Sequence, residues 1–204
     1  MKEEQAKVFL INQLNISNTD MKRLEIFKNL LLDYNKKFNL ISKNTEKSVW
    51  FRHILDSTQL MNFISTNSDK KLVDLGTGAG FPGLIIALLN KNPNFHVKLY
   101  EKSKVKRDFL NIVKKLLSIN FEINNNVYEK TINADIVVSR AFKKLSEIIK
   151  ISREIVKKPH KLIILKGKNA QYEINSVSFD NNYSYKLEKS VTDIDSKIVI
   201  IEAK

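Results

Sequence analysis

Lys71-Leu72-Val73-Asp74-Leu75-Gly76-Thr77-Gly78-Ala79-Gly80-Phe81-Pro82-Gly83 decides the fold. The chain has 204 residues and five glycines, and four of them fall within these last eight positions; the fifth, Gly167, stands alone. A chain this poor in glycine places it where a side chain would obstruct something. The apolar run 72–75 before the glycines reads as a buried strand, and Leu84-Ile85-Ile86-Ala87-Leu88-Leu89 after them reads as a buried helix. Strand, glycine turn and helix bring backbone N–H groups and a helix N-terminus against a ligand. A turn that only packs strand on helix explains one or two glycines, not three at alternate positions.

The spacing narrows the ligand. A dinucleotide fingerprint, G-x-G-x-x-G, counted from Gly76 needs glycine at position 81, where Phe81 stands, so a nicotinamide dehydrogenase is a distant reading. The pattern Asp74-x-Gly76-x-Gly78-x-Gly80 instead resembles the first motif of Rossmann-like methyltransferases that use S-adenosylmethionine. It calls for an acidic residue at the end of the next strand, to take the ribose hydroxyls. His96-Val97-Lys98-Leu99-Tyr100-Glu101 supplies Glu101, twenty-seven residues after Asp74.

Outward from this unit, residues 1–68 read as helical. Leu24, Phe27, Leu31, Tyr34 and Phe38 mark one apolar helix face. Trp50, Ile54, Ser57, Met61 and Ile64 mark a weaker one, with Thr45 as its expected N-cap. From residue 71 strands and helices alternate: strands at 71–75, 96–101, 121–127, 134–139, 161–166, 185–191 and 197–203, helices at 82–91, 103–118, 144–157 and 169–176. This predicts an α/β domain over 69–204, a mostly parallel seven-stranded sheet with helices on both faces and a terminal antiparallel hairpin, preceded by a helical extension over 1–68.

Composition bounds the rest. Net charge is +13 with pI about 9.7, which favours a polyanionic partner. The same excess of Lys also follows from AT-rich coding, since only five of the 35 basic residues are Arg. There is no cysteine, which excludes disulfides, thiolate metal sites and methyl transfer through a cysteine nucleophile. His53, His96 and His160 show no metal-ligand spacing, so no metal is expected. No apolar run is long enough to span a membrane, and the first ten residues lack a signal-peptide core. The chain is expected to be a cytoplasmic monomer.

In an open parallel sheet, ligands bind where the strands end. The residues there include Lys102, Lys104, Lys130, Lys143, Lys144, Lys166 and Lys168, with Arg140 closing the strand Ile136-Val137-Val138. Arg in a Lys-rich chain suggests a planar, multi-donor contact, although a structural ion pair fits as well. Base methylases that act on exocyclic amines carry an acid or amide followed by two prolines after the fourth strand; Ser139-Arg140-Ala141-Phe142 stands here instead. With no activating group on offer, the acceptor should already hold a lone pair, as guanine N7 does.

Further stretches carry a resemblance over nearly the whole chain: Tyr34-Asn35-Lys36-Lys37-Phe38-Asn39-Leu40, Arg52-His53-Ile54-Leu55-Asp56-Ser57, Gly80-Phe81-Pro82-Gly83, Ser139-Arg140-Ala141 and Leu165-Lys166-Gly167. The chain resembles the bacterial 16S ribosomal RNA guanine-7 N-methyltransferases of the RsmG (GidB) type. The resemblance implies a Rossmann-like class I fold, S-adenosylmethionine as cofactor, and 16S rRNA or the small ribosomal subunit as partner. It implies a cofactor site at Asp74, Gly76, Gly78, Gly80, Phe81, Glu101 and Arg140, with Tyr128 and Glu129 at the adenine end. Arg140 and Lys166 are the expected catalytic residues, positioning the polyanionic substrate. An orienting or packing role is expected for His53 and Asp56. Two departures from the pattern are Val127, where relatives often have Arg, and Glu101, where Asp is common. The alternatives are a methylase of another RNA, a protein or a small molecule, and a non-catalytic RNA-binding assembly factor.

Overall fold

The computed structural model describes residues 3–128 and 131–204. Helices α1 (Glu3–Asn12) and α2 (Asn18–Phe38) open the chain. Ser17 caps α2 by accepting from Asp20 N at 3.1 Å, and Asn39 ends it in the left-handed conformation, φ 47°. Asn35 then secures the turn: its Oδ1 accepts from Ile41 N at 2.8 Å and its Nδ2 donates to Glu46 at 2.6 Å.

The segment expected as one helix around Trp50–Ile64 is a series of short turns. A 3₁₀ turn (Lys43–Ser48) leads into a π-helical turn (Trp50–Leu55), one α turn (α3, Asp56–Thr58) and a second 3₁₀ turn (Gln59–Phe63). The apolar face survives, because Trp50, Ile54 and Ser57 are buried, but regular winding does not. The hydroxyls of Ser57 and Thr58 donate back to the carbonyls of His53 and Ile54 at 2.7 and 2.8 Å, competing with the helical ladder. Thr45 caps nothing. It lies inside the first 3₁₀ turn, and its side chain belongs to the site described below.

The sheet follows: β1 (Lys71–Leu75), β2 (His96–Tyr100), β3 (Glu122–Asn124), β4 (Ile136–Arg140), β5 (His160–Lys166), β6 (Tyr183–Lys189) and β7 (Lys197–Ala203). Its order is β3-β2-β1-β4-β5-β7-β6. The first five strands pair in parallel, and β7 inserts antiparallel between β5 and β6. The expected hairpin is present, with β6 two residues earlier than its sequence pattern suggested. Strand β3 is also shorter than expected, at three residues. Helices α4 (Gly83–Leu89), α5 (Lys104–Leu116), α6 (Leu145–Ile155) and α7 (Ala170–Asn175) make the connections.

Alternation along each strand divides the core in two. Leu72, Leu99, Val138 and Ile163 face one layer with α1, α2, α4 and α5; Val73, Leu75, Val137 and Ile164 face the other with α6 and α7. The helical extension therefore shares its core with the sheet. The Phe27 ring meets Phe81 edge-on at 5.6 Å and Phe109 at 6.3 Å. Arg23 donates to Leu88 O at 2.9 Å and Leu117 O at 3.0 Å, satisfying free carbonyls at the ends of α4 and α5. Among the described residues, no helix is long and apolar enough to cross a membrane.

Because Phe27 is fully buried between two rings, Phe27→Ala should cost about 3–5 kcal/mol in urea unfolding. An unchanged midpoint would show that α2 is not part of the cooperative core.

Candidate functional site

The glycine loop is built from the strand end outward. Asp74, fully buried, accepts from Gly83 N at 2.8 Å through Oδ2 and so caps the first turn of α4. Burial pushes its carboxyl up to about 6, against the opposing pull of the Thr77 hydroxyl and the Gly83 N–H. Its Oδ1 and Thr77 Oγ1 are buried without a well-formed hydrogen bond. Thr77 O accepts from Gly80 N and Phe81 N at 3.0 and 2.9 Å, which closes the turn. Gly78 sits at φ +61°, where side chains are rarely tolerated, and the space beside its Cα is open for 4 Å. Gly76 is constrained differently, since a Cβ there would run into the Phe142 ring.

Glu101 follows β2 and faces this loop. Its Oε2 accepts from Gly78 N at 2.9 Å and its Oε1 from Ser103 N at 2.7 Å. Each oxygen keeps a lone pair for a further donor, as ribose hydroxyls would require. Arg107, one turn into α5, fixes the corner by donating to Glu101 O at 2.9 Å and Lys102 O at 2.5 Å.

Arg140, at the end of β4, joins three segments. It donates to Arg52 O at 2.8 Å, Asp56 Oδ2 at 3.3 Å and His53 Nδ1 at 2.8 Å, and its guanidinium lies over the Phe81 ring at 5.0 Å. An arginine can only donate, so His53 Nδ1 is an acceptor and the imidazole proton sits on Nε2. That N–H donates to Thr45 Oγ1 at 2.9 Å, which donates in turn to Ser42 O at 2.9 Å. The His53 ring also stacks on Phe81 at 4.9 Å. Burial, with Arg140 and Arg52 nearby, holds His53 down at about 3, so it is neutral at working pH. The other oxygen of Asp56 accepts from Thr192 Oγ1 at 2.8 Å and Gln59 Nε2 at 3.0 Å.

These groups enclose a cavity of about 640 Å³ at the carboxyl edge, between β1 and β4, where the strand order reverses. Gly76, Gly78, Phe81, Glu101, Arg140 and Lys166 all line it. Asp74 and Gly80 do not; they shape the loop from beneath. Tyr128 stands 56% exposed and off the cavity, and Glu129 and Lys130 lie outside the described residues. Val127 is buried in the core, so that position serves packing. The Lys166 head group is held in place: Nζ donates to Lys143 O at 2.6 Å and Glu173 Oε2 at 2.8 Å, which leaves one N–H of the ammonium. Thr45, Arg52 and Thr192 also line the cavity; Arg52 opens the signature stretch 52–57 without an assigned role, Thr45 is expected only as a cap, and no motif marks Thr192.

The open cradle at Gly78, the carboxylate of Glu101 and a cavity of this size fit S-adenosylmethionine. Gly78→Val should abolish its binding in calorimetry while the fold persists; retained affinity would refute the loop as the cofactor site. His53, neutral when folded, ionises near 6.5 when unfolded. Its contribution to stability is complete above about pH 6.5 and is lost as pH falls toward about 3. Between pH 7 and 4 the wild type should therefore lose more stability than His53→Gln, whereas parallel losses would contradict a neutral His53. Asp74 is common to both proteins and cancels.

The family model described as rRNA small subunit methyltransferase G matches residues 20–200. Ribosomal RNA small subunit methyltransferase G of Orientia tsutsugamushi (strain Ikeda) is 37% identical over 201 residues, 98% of each chain. Its counterpart in Rickettsia akari is 37% identical over 187 residues, 91% of this chain and 95% of that one. Among solved structures, a SAM dependent methyltransferase from Aquifex aeolicus superposes with TM-score 0.60 at 15% identity, over 78% of this chain and 94% of that chain, a likeness of fold. With most of its length matched by the family model, the chain belongs to the rRNA small subunit methyltransferase G family.

Proposed function

We propose that this enzyme, acting as a monomer in the cytoplasm, methylates a guanine of small-subunit (16S) ribosomal RNA at N7. The observation that carries the reading is a built cofactor cradle where, among the described residues, the one carboxylate with spare lone pairs, Glu101, faces the glycine loop and no other general base stands free. His53 is neutral but has both nitrogens engaged, Asp56 is paired with Arg140 and Thr192, and Asp74 is buried beneath the loop. Such a site suits an acceptor that needs no deprotonation. When bound at the loop, S-adenosylmethionine would supply its methyl group as a sulfonium electrophile that the N7 lone pair could take, the C–S electron pair returning to sulfur, with no proton to remove.

The chain's own groups do the rest. Gly78 admits the ligand, Glu101 takes the ribose hydroxyls, and Phe81, covered on one side by the hydrogen-bonded pair of His53 and Arg140, gives the cavity an apolar wall that excludes water. Arg140 and Lys166 act as positioning residues, since both are committed to protein partners. Lys102 and Lys106 line the cavity and carry charge toward the polyanion. N7 lies out of reach in the deep groove of an A-form helix, so the target guanine belongs to a loop or non-helical element.

The test is transfer of labelled methyl to small subunits from cells lacking their own guanine-7 methylase, followed by digestion and nucleoside mass spectrometry. Label in 7-methylguanosine is expected; label in another nucleoside, or none despite cofactor binding, would overturn the reading. RNA affinity should fall steeply with salt, and a flat response would contradict electrostatic recognition.

A further inference from the structure

The turn between β6 and β7, Ser190-Val191-Thr192-Asp193-Ile194-Asp195-Ser196, has its polarity inverted. Turn side chains ordinarily point hydroxyls to water. Here Ser190 and Thr192 are buried, while Val191 and Ile194 are exposed, Ile194 at 87%. The inversion is anchored at several points. Val191 N donates to Gln59 Oε1 at 3.0 Å, and Thr192 Oγ1 to Asp56 Oδ1 at 2.8 Å. Arg52 pairs with Asp193 at 3.2 Å, and that carboxylate also accepts from Asp195 N at 2.9 Å. Arg52 and the Asp195 N–H hold Asp193 below its usual range. Lys197 donates to Ile194 O at 3.1 Å. The backbone that carries Ile194 is thus ordered before any partner arrives.

Its place is equally specific. The turn lies at the carboxyl edge of the sheet, because Lys166 pairs with Lys197 in the β5–β7 register. Thr192 and Ser196, on either side of Ile194, both line the cavity. In a chain of net charge +13, the turn holds two aspartates and no basic residue. It cannot attract phosphate. What it offers a nucleic acid is an apolar surface for a base, and apolar side chains fill the gap left where bases unstack.

The geometry points to the 190–196 turn as a rigid ledge on which Ile194 supports a nucleobase next to the target guanine, keeping the target unstacked at the cavity mouth. This rests on the RNA reading above. Ile194 is a substrate contact; Asp56 and Gln59 are positioning residues for it, acting through Thr192 and Val191.

The test compares the wild type with Ile194→Ser and Ile194→Met, using small subunits that lack the modification, at two salt concentrations. Ile194→Ser should raise KM for the subunit about tenfold, the effect of losing roughly two buried methylene-sized contacts with a base, and Ile194→Met should restore most of it. The rise should fall on KM rather than kcat and keep the same ratio to wild type at both salts, since no charge is removed. Cofactor affinity and the unfolding midpoint should stay at wild-type values. An unchanged KM in Ile194→Ser, or a rise tracking a lower midpoint or weaker cofactor binding, would overturn the ledge. Failure of the wild type itself to methylate RNA would refute the substrate reading instead, and the ledge with it.

Discussion

A guanidinium at the end of a buried strand carries five N–H donors that cannot be left bare. Arg140 meets this constraint for three of them by reaching out of the sheet and into the segment before it in sequence. It takes the Arg52 carbonyl, the Asp56 carboxylate and the lone pair of His53, and it rests on Phe81. The rest of the site follows from these contacts. They fix the His53 tautomer, lay two bonded planar groups against one side of Phe81, and tie the helical extension to the loop. Burial lowers the proton affinity of Arg140 and Asp56 raises it, so the pair stands or falls together.

The extension is thereby part of the site rather than an appendage. The π-helical turn places Arg52 and His53 toward the cavity, and such turns recur at functional sites because they re-aim side chains within a helix. From the other side, Asp56 accepts from Thr192 of the β6–β7 turn. One carboxylate thus connects the first third of the chain, the fourth strand and the terminal hairpin. The sheet supplies the frame, because parallel strands ending together bring the glycine loop, Glu101 and Arg140 to one edge.

Much of this was legible in the residues. Glycines at alternate positions and a carboxylate ending the next strand announce a ligand-binding turn, because both follow from local backbone geometry. Strands β1, β4 and β5 are readable because buried parallel strands are continuous apolar runs, whereas β3 and β6 are part-exposed and their bounds are less legible. Other features were not local. The 50–64 segment keeps a helical stripe, yet hydroxyl back-bonding and the pull of Arg140 break its winding. Arg140 and Lys166 both line the cavity, but which carboxylates they pair with, Asp56 and Glu173, is a matter of tertiary approach, over 84 residues in the first case. Thr192 gave no signal at all, since its role exists only once the hairpin folds back on Asp56.

If the Arg140 guanidinium, through its fixed fork of donors, holds the glycine loop in shape, a residue without that fork should weaken ligand binding there. The most direct measurement is the affinity of Arg140→Lys for S-adenosylmethionine by calorimetry, with its unfolding midpoint in parallel. Lysine keeps the charge but cannot reach Arg52 O, Asp56 and His53 together. Affinity should fall at least about tenfold, the ~1.4 kcal/mol of one lost hydrogen bond to a charged group, with the protein still folded. Wild-type affinity in Arg140→Lys would contradict it, and would mean that the loop holds its shape without the network.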